Sequence, residues 1–417
     1  MENIALTLSK IDKLLFDALH QDESRRKTIR KADLSDGEWG AFLQTAIRHN
    51  VSAFLYYRLK EDGSLPFLPE AVQTTLRERY MINSARNLGF FFRLKKILES
   101  FQEENIRVMA LKGAHLAHTV YKNSSVREMS DIDLLVPPDD LKIADKVLQE
   151  NGYVPDSPSD IEFELKHFAH LPIYKKPFAP AIELHWTISK PKPSYHFEEV
   201  LFWDDADNFQ VQGMSLKGLS RELLLIHLCT HISHQHGFKI AMRSYCDIAE
   251  LIDKYGEDLD WQRMADIAVH SGVTRGVFVS LLIANQLLGA KISNETLRSL
   301  EPFNMSDEVL NAALYQCLSH DPLKRDFTVE NAKVLQRKGS WRKTMGMFQR
   351  IFLPRQIIAR LYGLNPNSWY FLLFYPVRFK DLIIRHGRLI RNYRNEDKDT
   401  IELVNRLSMI ENWLAEK

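Results

Sequence analysis

The sequence predicts an α+β fold, a small mixed β-sheet flanked along the chain by N-terminal and C-terminal helical regions. Two observations predict it. Apolar residues recur at helical spacing before about residue 105 and again from Ser220 onward. Between them, from about 105 to 215, short apolar runs are bounded by Gly, Pro and Asp, the pattern of strands and turns. Their order, strand, helix, acidic strand, helix, strands, suits a mixed sheet with helices on one side.

In chain order, Ile4, Leu8, Ile11, Leu14, Leu15, Ala18 and Leu19 follow the helical period, as do Trp39, Phe42, Leu43, Ala46 and Ile47. Gly63 to Pro69 reads as a break. Ala71 to Glu104 reads as one or two helices, with Leu88, Phe91, Phe92, Leu94, Ile97, Leu98 and Phe101 facing inward. Arg107 to Leu111 is an expected strand, followed by a turn at Lys112-Gly113 and a short helix from Ala114 to Tyr121. Asp131-Ile132-Asp133-Leu134-Leu135-Val136 is the next strand, ended by Pro137-Pro138. Asp139 suits an N-cap for a helix through Leu141, Ala144, Val147 and Leu148, closed by Gly152. Phe168–Tyr174 and Ala181–Ile188 are expected strands, and Phe209-Gln210-Val211 adds another. Ser220 can cap a helix carrying Leu223, Leu224, Ile226 and His227, with further helices over 244–254, 261–270, 274–289 and 306–318. The expected division is 1–84, 85–215, 216–330 and 331–417.

Composition sets the frame. An apolar content of 45% and a charged content of 26% are ordinary for a globular protein of 417 residues, long enough for two or three domains. The net charge of +1 exerts no global pull on nucleic acid or membrane. Cys229, Cys246 and Cys317 form no Cys-x-x-Cys pair, which fits a reducing compartment without structural disulfides. The N-terminal residues lack the pattern of a signal peptide, and no run reaches the ~20 apolar residues of a spanning helix. A cytoplasmic protein is expected, with peripheral membrane attachment as a variant of that reading.

The chemistry gathers at residues 111–136. On a strand, Asp131 and Asp133 share a face, roughly 6–7 Å apart along it. Two carboxylates so placed invite a hard cation with oxygen ligands. Upstream, a strand, the Lys112-Gly113 turn and a helix N-terminus make a place to hold phosphates. The plain alternative is a strand end with two solvated acids.

This arrangement resembles the nucleotidyltransferase superfamily that includes DNA polymerase β. The closer resemblance is to a bacterial group of uncharacterised nucleotidyltransferases, carried by Lys112-Gly113, Arg127, Asp131-Ile132-Asp133 and Ile182-Glu183-Leu184-His185-Trp186, over about residues 85–250. It makes 85–215 the expected catalytic domain. One departure is that many superfamily members carry Gly-Ser at the turn, where this chain has Lys112-Gly113-Ala114.

The resemblance implies a two-metal scheme using Mg²⁺ or Mn²⁺. In it Asp131 and Asp133 would bind metal through the nucleotide phosphates, and Glu183 would serve as ligand or general base. A nucleoside monophosphate would pass from a nucleoside triphosphate, ATP by expectation, to a hydroxyl of a sugar, peptide, protein or RNA; no DNA is expected. A catalytically inactive module that binds a nucleotide or polyanion on the same fold is the alternative. Lys112 is a phosphate candidate or a surface lysine, and Arg127 meets phosphate or pairs with Asp131 or Glu128. Ser130 donates to phosphate or stabilises the turn. His185 shares the Glu183 face and lies near the site or serves a structural hydrogen bond, while Trp186 points into the core.

Two further patterns stand apart. His227, His231 and His234 are spaced i, i+4, i+7, with His236 and Asp247 nearby. They read as a zinc site or as a polar face lining the cleft. Between Lys333 and Arg394 fourteen Lys or Arg face one acid, Asp381, with aromatics interleaved from Trp341 to Tyr393. That mix suits an anionic membrane surface or another polyanion, or an amphipathic helical subdomain with solvated charges.

Overall fold

A computed structural model describes residues 8–158, 160–190, 192–318, 350–365, 369–395 and 397–416. Ile4 and the first half of the basic run, with Trp341 and Phe348, lie outside the described residues.

The chain opens with helices α1 (Lys10–Leu19), α2 (Glu23–Arg26), α3 (Asp36–Arg48) and α4 (Ser52–Glu61). A capping box at α3 joins Ser35 and Glu38, so two otherwise unpaired N–H groups are satisfied where the helix starts. After the expected break, α5 runs unbroken over Glu70–Glu103, so the expected boundary near residue 84 falls inside one helix. Phe90, Phe91, Leu94, Ile97, Leu98 and Phe101 are buried along it, but Leu88 and Phe92 are exposed. The reason is angular. At about 100° per residue, Leu88 and Phe92 fall on the side opposite Leu94 and Phe101, so one helix cannot bury all four.

The sheet has seven strands: β1 (Met109–Ala110), β2 (Asp131–Leu135), β3 (Val154–Pro155), β4 (Tyr174–Lys175), β5 (Ala181–His185), β6 (Asp207–Val211) and β7 (Met214–Gly218). Their order is β3-β4-β5-β2-β1-β7-β6, with β2–β5 and β1–β7 parallel and the other pairs antiparallel. Several strands are shorter than the apolar runs suggest. Phe168–Tyr174 pairs only in part because Pro172 has no N–H to give; the regular ladder begins at Tyr174. β7 lies beyond any expected strand, joined to β6 by the two-residue turn Gln212-Gly213, both at positive φ.

Helices α6 (Lys112–Thr119), α7 (Leu141–Glu150), α8 (Ile161–His167) and α9 (Val200–Trp203) lie between the strands. A 3₁₀ turn over Pro138–Asp140, rather than an Asp139 cap, leads into α7, and Gly152 follows it at φ 79°. Helices α10 (Arg221–Thr230), α11 (Arg243–Tyr255), α12 (Trp261–His270), α13 (Thr274–Leu288), α14 (Asn294–Leu300) and α15 (Asp307–Leu318) come next. The last described helices are α16 (Arg355–Tyr362), α17 (Phe374–Arg394) and α18 (Lys398–Ala415).

Two cores result. One joins the sheet to the second half of α5. The other merges α1, α3, α4, the start of α5, α10–α15 and the end of α18. The N-terminal helices and those after the sheet therefore bury their apolar faces together, although more than a hundred residues separate them in sequence. Among the described residues no helix is long and apolar enough to cross a membrane.

Candidate active site

The register of β2 against β5 builds the site. Asp133 lies opposite Glu183, and Leu135 opposite His185. Because side chains alternate, Ile132, Leu134, Ile182 and Leu184 turn into the sheet core, and Asp131, Asp133, Glu183 and His185 share the other face. His185 Nε2 stands 3.2 Å from Asp133 Oδ1 and 3.2 Å from Glu183 Oε2. Lys112 Nζ donates to the same Asp133 Oδ1 at 3.0 Å. Among the described residues, the group of three His, Cys, Asp or Glu able to hold a metal ion is Asp133, Glu183 and His185, with ligating atoms within 4.8 Å of one another. Asp131 begins the strand at the mouth of this cluster, and the Ser130 hydroxyl donates to its carboxylate at 3.0 Å.

Electrostatics follow from crowding. Burial raises the Asp131 pKa, and the charges of Asp133 and Glu183 push it further up. Asp133 is the reverse: burial opposes its charge, but Lys112 and His185 overcome that and hold it well below the usual carboxylate range. Burial alone would raise Glu183 too, yet the hydrogen bond from His185 leaves it lowered. His185 ends above its ordinary value, since the bonds to both carboxylates outweigh burial. Lys112 likewise ends raised, its burial outweighed chiefly by Asp133 and Glu183. Three carboxylates are thus balanced by one ammonium and one imidazole, and Asp131 is left undercompensated. A divalent cation fits that deficit, and the oxygen-rich donor set is the chemistry that would take it.

The turn that delivers Lys112 differs from the expected one. Lys112 itself takes the positive φ, 37°, which an L side chain adopts reluctantly, and it is the first residue of α6. Gly113 serves close approach instead: a Cβ there would stand 2.8 Å from Arg127 Nη1 and 3.3 Å from Met129 Cγ. Arg127 pairs with neither Asp131 nor Glu128. Its guanidinium is buried and bidentate on Asp247 of α11, Nε to Oδ1 and Nη2 to Oδ2, each 2.8 Å. Tyr121 adds a hydroxyl donor to Asp247 Oδ1 at 2.7 Å. Arg127 and Asp247 therefore tie the turn behind Lys112 to the helical core.

The loop before β2 is held from α5. Asn83 donates to the Ser125 carbonyl at 2.7 Å, and Asn87 to Ser124 at 2.6 Å and Arg127 at 2.8 Å. Arg86 donates to the Met129 carbonyl. Sequence reading passed over these residues, although two buried asparagines on an apolar helix face are the signal that a neighbouring backbone needs donors.

The histidine pattern does not converge. A π-helical turn over His231–Gln235 follows α10 and breaks the i, i+4, i+7 alignment. His227 is fully buried, with neither ring nitrogen partnered among the described residues, and burial holds its pKa well below the ordinary value. His231 and His236 bring their Nε2 atoms to 3.3 Å. His234 turns toward Ser233 and the edge of Tyr195. After burial, the Lys112 charge also lowers His227, His231 and His236. His170, also unsuspected, forms an isolated backbone bridge with His185.

No curated protein and no solved structure matches the chain. The family described as uncharacterised nucleotidyltransferase matches residues 35–289, a span that contains every residue of the site from Asn83 to Asp247. With well over half its length matched and the acidic strand, turn and third carboxylate inside the match, the chain belongs to the uncharacterised nucleotidyltransferase family.

Proposed function

We propose that the protein is a divalent-metal-dependent nucleotidyltransferase that moves a nucleoside monophosphate from a nucleoside triphosphate to a hydroxyl-type acceptor. The observation that carries this reading is the in-register placement of Asp133 opposite Glu183, with Asp131 on the same face and an ammonium at the start of an adjoining helix. Asp131, Asp133 and Glu183 would hold Mg²⁺ or Mn²⁺, with His185 beside them. Such an ion, when bound, neutralises phosphate charge and lowers the barrier to attack. In the reaction the acceptor oxygen forms a bond to the α-phosphorus. The bond from that phosphorus to the bridging oxygen breaks, and pyrophosphate departs with the electron pair. Glu183, a carboxylate at neutral pH, holds an ion or takes the acceptor proton. Lys112 and the N–H groups at the start of α6 face the phosphates. Catalysis would rest on positioning and charge neutralisation.

A second reading has one observation in its favour. Asp133 Oδ1 is already engaged by both Lys112 and His185, as in a site that binds without transferring. One experiment separates them: incubation with each α-³²P-labelled triphosphate, Mg²⁺ or Mn²⁺ and host lysate, beside Asp131→Ala/Asp133→Ala. Label transferred only by the intact protein supports the transferase and reveals nucleotide and acceptor. Nucleotide binding unchanged by the double substitution, with no transfer, selects the binding module.

A further inference from the structure

The C-terminal unit carries a surface that neither core uses. Phe371, Phe374 and Tyr375 turn inward and pack around Ile358, Ala359 and Leu364. On the other side Trp369 is 75% exposed, Leu373 60% and Ile384 67%, with Leu372, Phe379 and Ile383 also exposed. On α17, Val377, Phe379, Ile383 and Ile384 fall within an arc of about 160° at 100° per residue, and Lys380 lies inside it. The helix is thus apolar on two sides, and among the described residues only one has a partner.

Charge identifies what fits the other side. Residues 369–394 contain Arg378, Lys380, Arg385, Arg388, Arg391 and Arg394 against the single acid Asp381. Asp381 accepts a hydrogen bond from the Tyr362 hydroxyl at 2.9 Å. We propose that this face docks in the plane of an anionic lipid bilayer, with Leu372, Leu373, Ile383 and Ile384 entering the headgroup–acyl boundary. Trp369 would sit at headgroup level, and Lys380 and Arg391, both exposed and within the same arc, would meet lipid phosphates. Single-stranded nucleic acid is the poorer fit, since it rewards aromatic stacking and cations but gains nothing from a stripe of exposed aliphatic side chains. The surface lies beyond residue 289, outside the span matched by the family.

The same unit is latched to the catalytic sheet. The Arg360 guanidinium of α16 lies 3.7 Å from the centre of the Phe168 ring, pairs with Glu164 and donates to the His170 carbonyl at 3.3 Å. His170 in turn bridges to His185. Docking would therefore fix the acid cluster at a set position relative to the bilayer.

The test is cosedimentation of the full chain, without nucleotide, on phosphatidylglycerol–phosphatidylcholine vesicles and on phosphatidylcholine alone. The expected result is binding to the anionic vesicles that falls at high salt, with little on phosphatidylcholine. Ile383→Ser/Ile384→Ser should weaken it by about tenfold or more, from the loss of two buried aliphatic groups. Val269→Ser, at an exposed valine far along the chain, should change nothing. Because the altered side chains are exposed, thermal melting of the variants should match the parent. No binding to anionic vesicles at low salt overturns the proposal, as does binding indifferent to the isoleucine substitutions. Capture of polyuridylate without capture of vesicles assigns the surface to nucleic acid instead.

Discussion

Asp247→Ala is the sharpest perturbation available, because the structure and the sequence disagree about what Arg127 does. The Arg127 and Asp247 side chains are 6% and 1% exposed and share two hydrogen bonds of 2.8 Å, so neither charge has water to fall back on. Removing one member of such a pair costs about 3–5 kcal/mol, mostly because the other charge is left buried and unpaired. At roughly 2–4 °C per kcal/mol for a body of a few hundred residues, even 3 kcal/mol should lower the melting midpoint by about 6–12 °C. Scanning calorimetry or dye-free fluorescence melting reads this directly. Replacing the whole group by apolar residues, Arg127→Met/Asp247→Leu with Tyr121→Phe, should recover most of the loss, since no polar atom of the triad is then stranded. The reasoning fails if Asp247→Ala melts within a degree or two of the parent. It fails equally if Arg127→Met leaves stability untouched but abolishes triphosphate binding, since the guanidinium would then serve phosphate.

The remaining predictions concern the acid cluster and its turn. Asp131→Ala should reduce transfer by about 10³-fold or more, several kcal/mol of barrier, while leaving the melt unchanged or higher, because it removes the least compensated charge; label transfer and melting on one sample check both. Gly113→Ala should cost about 1–3 kcal/mol, since the new Cβ would meet Arg127 Nη1 at 2.8 Å and Asp247 prevents that side chain from yielding; urea midpoints report it. The raised pKa of His185 has a definite sign. A folded value above the unfolded 6.5 means the protonated imidazole stabilises the fold below that pH, and the contribution disappears as pH rises through the folded value. His185→Gln should therefore destabilise more at about pH 6 than at about pH 9, and equal losses at both would refute it.

Much of the sheet and its acids was legible because strand periodicity is local. Asp131 and Asp133 share a face by alternation alone, and the apolar Ile132 and Leu134 mark which face is core. What could not be read is what depends on register between distant strands. The sequence places Glu183 and His185 two residues apart, but only the pairing of β2 with β5 brings both against Asp133. Arg127 finding Asp247 across 120 residues is of the same kind. The one-face histidine alignment depends on a continuous α-helix, and the π-turn at His231 changes the angle per residue where the third histidine would have joined the face.

Lys112 answers the charge crowding on the acid face of the sheet. Two carboxylates less than 5 Å apart repel by about 3–4 kcal/mol at an effective dielectric near 20. Asp133 and Glu183 are about that close, with Asp131 beside them. A cation built into the chain offsets that repulsion and, with His185, favours the ionised form of Asp133. A lysine at the turn supplies that cation, but to reach Asp133 its backbone leaves the strand at φ 37°, a conformation that a glycine would take freely. The strain is the cost of placing the ammonium there, and Gly113 follows because Arg127 occupies the space its side chain would need. On the proposed reading, Lys112 would leave Asp133 free to hold a divalent ion and would turn its own charge to the triphosphate. Metal should then bind weakly alone and tightly with nucleotide. Isothermal titration of Mn²⁺ with and without a non-hydrolysable triphosphate measures that coupling, and equal affinities would show that Lys112 never exchanges partners.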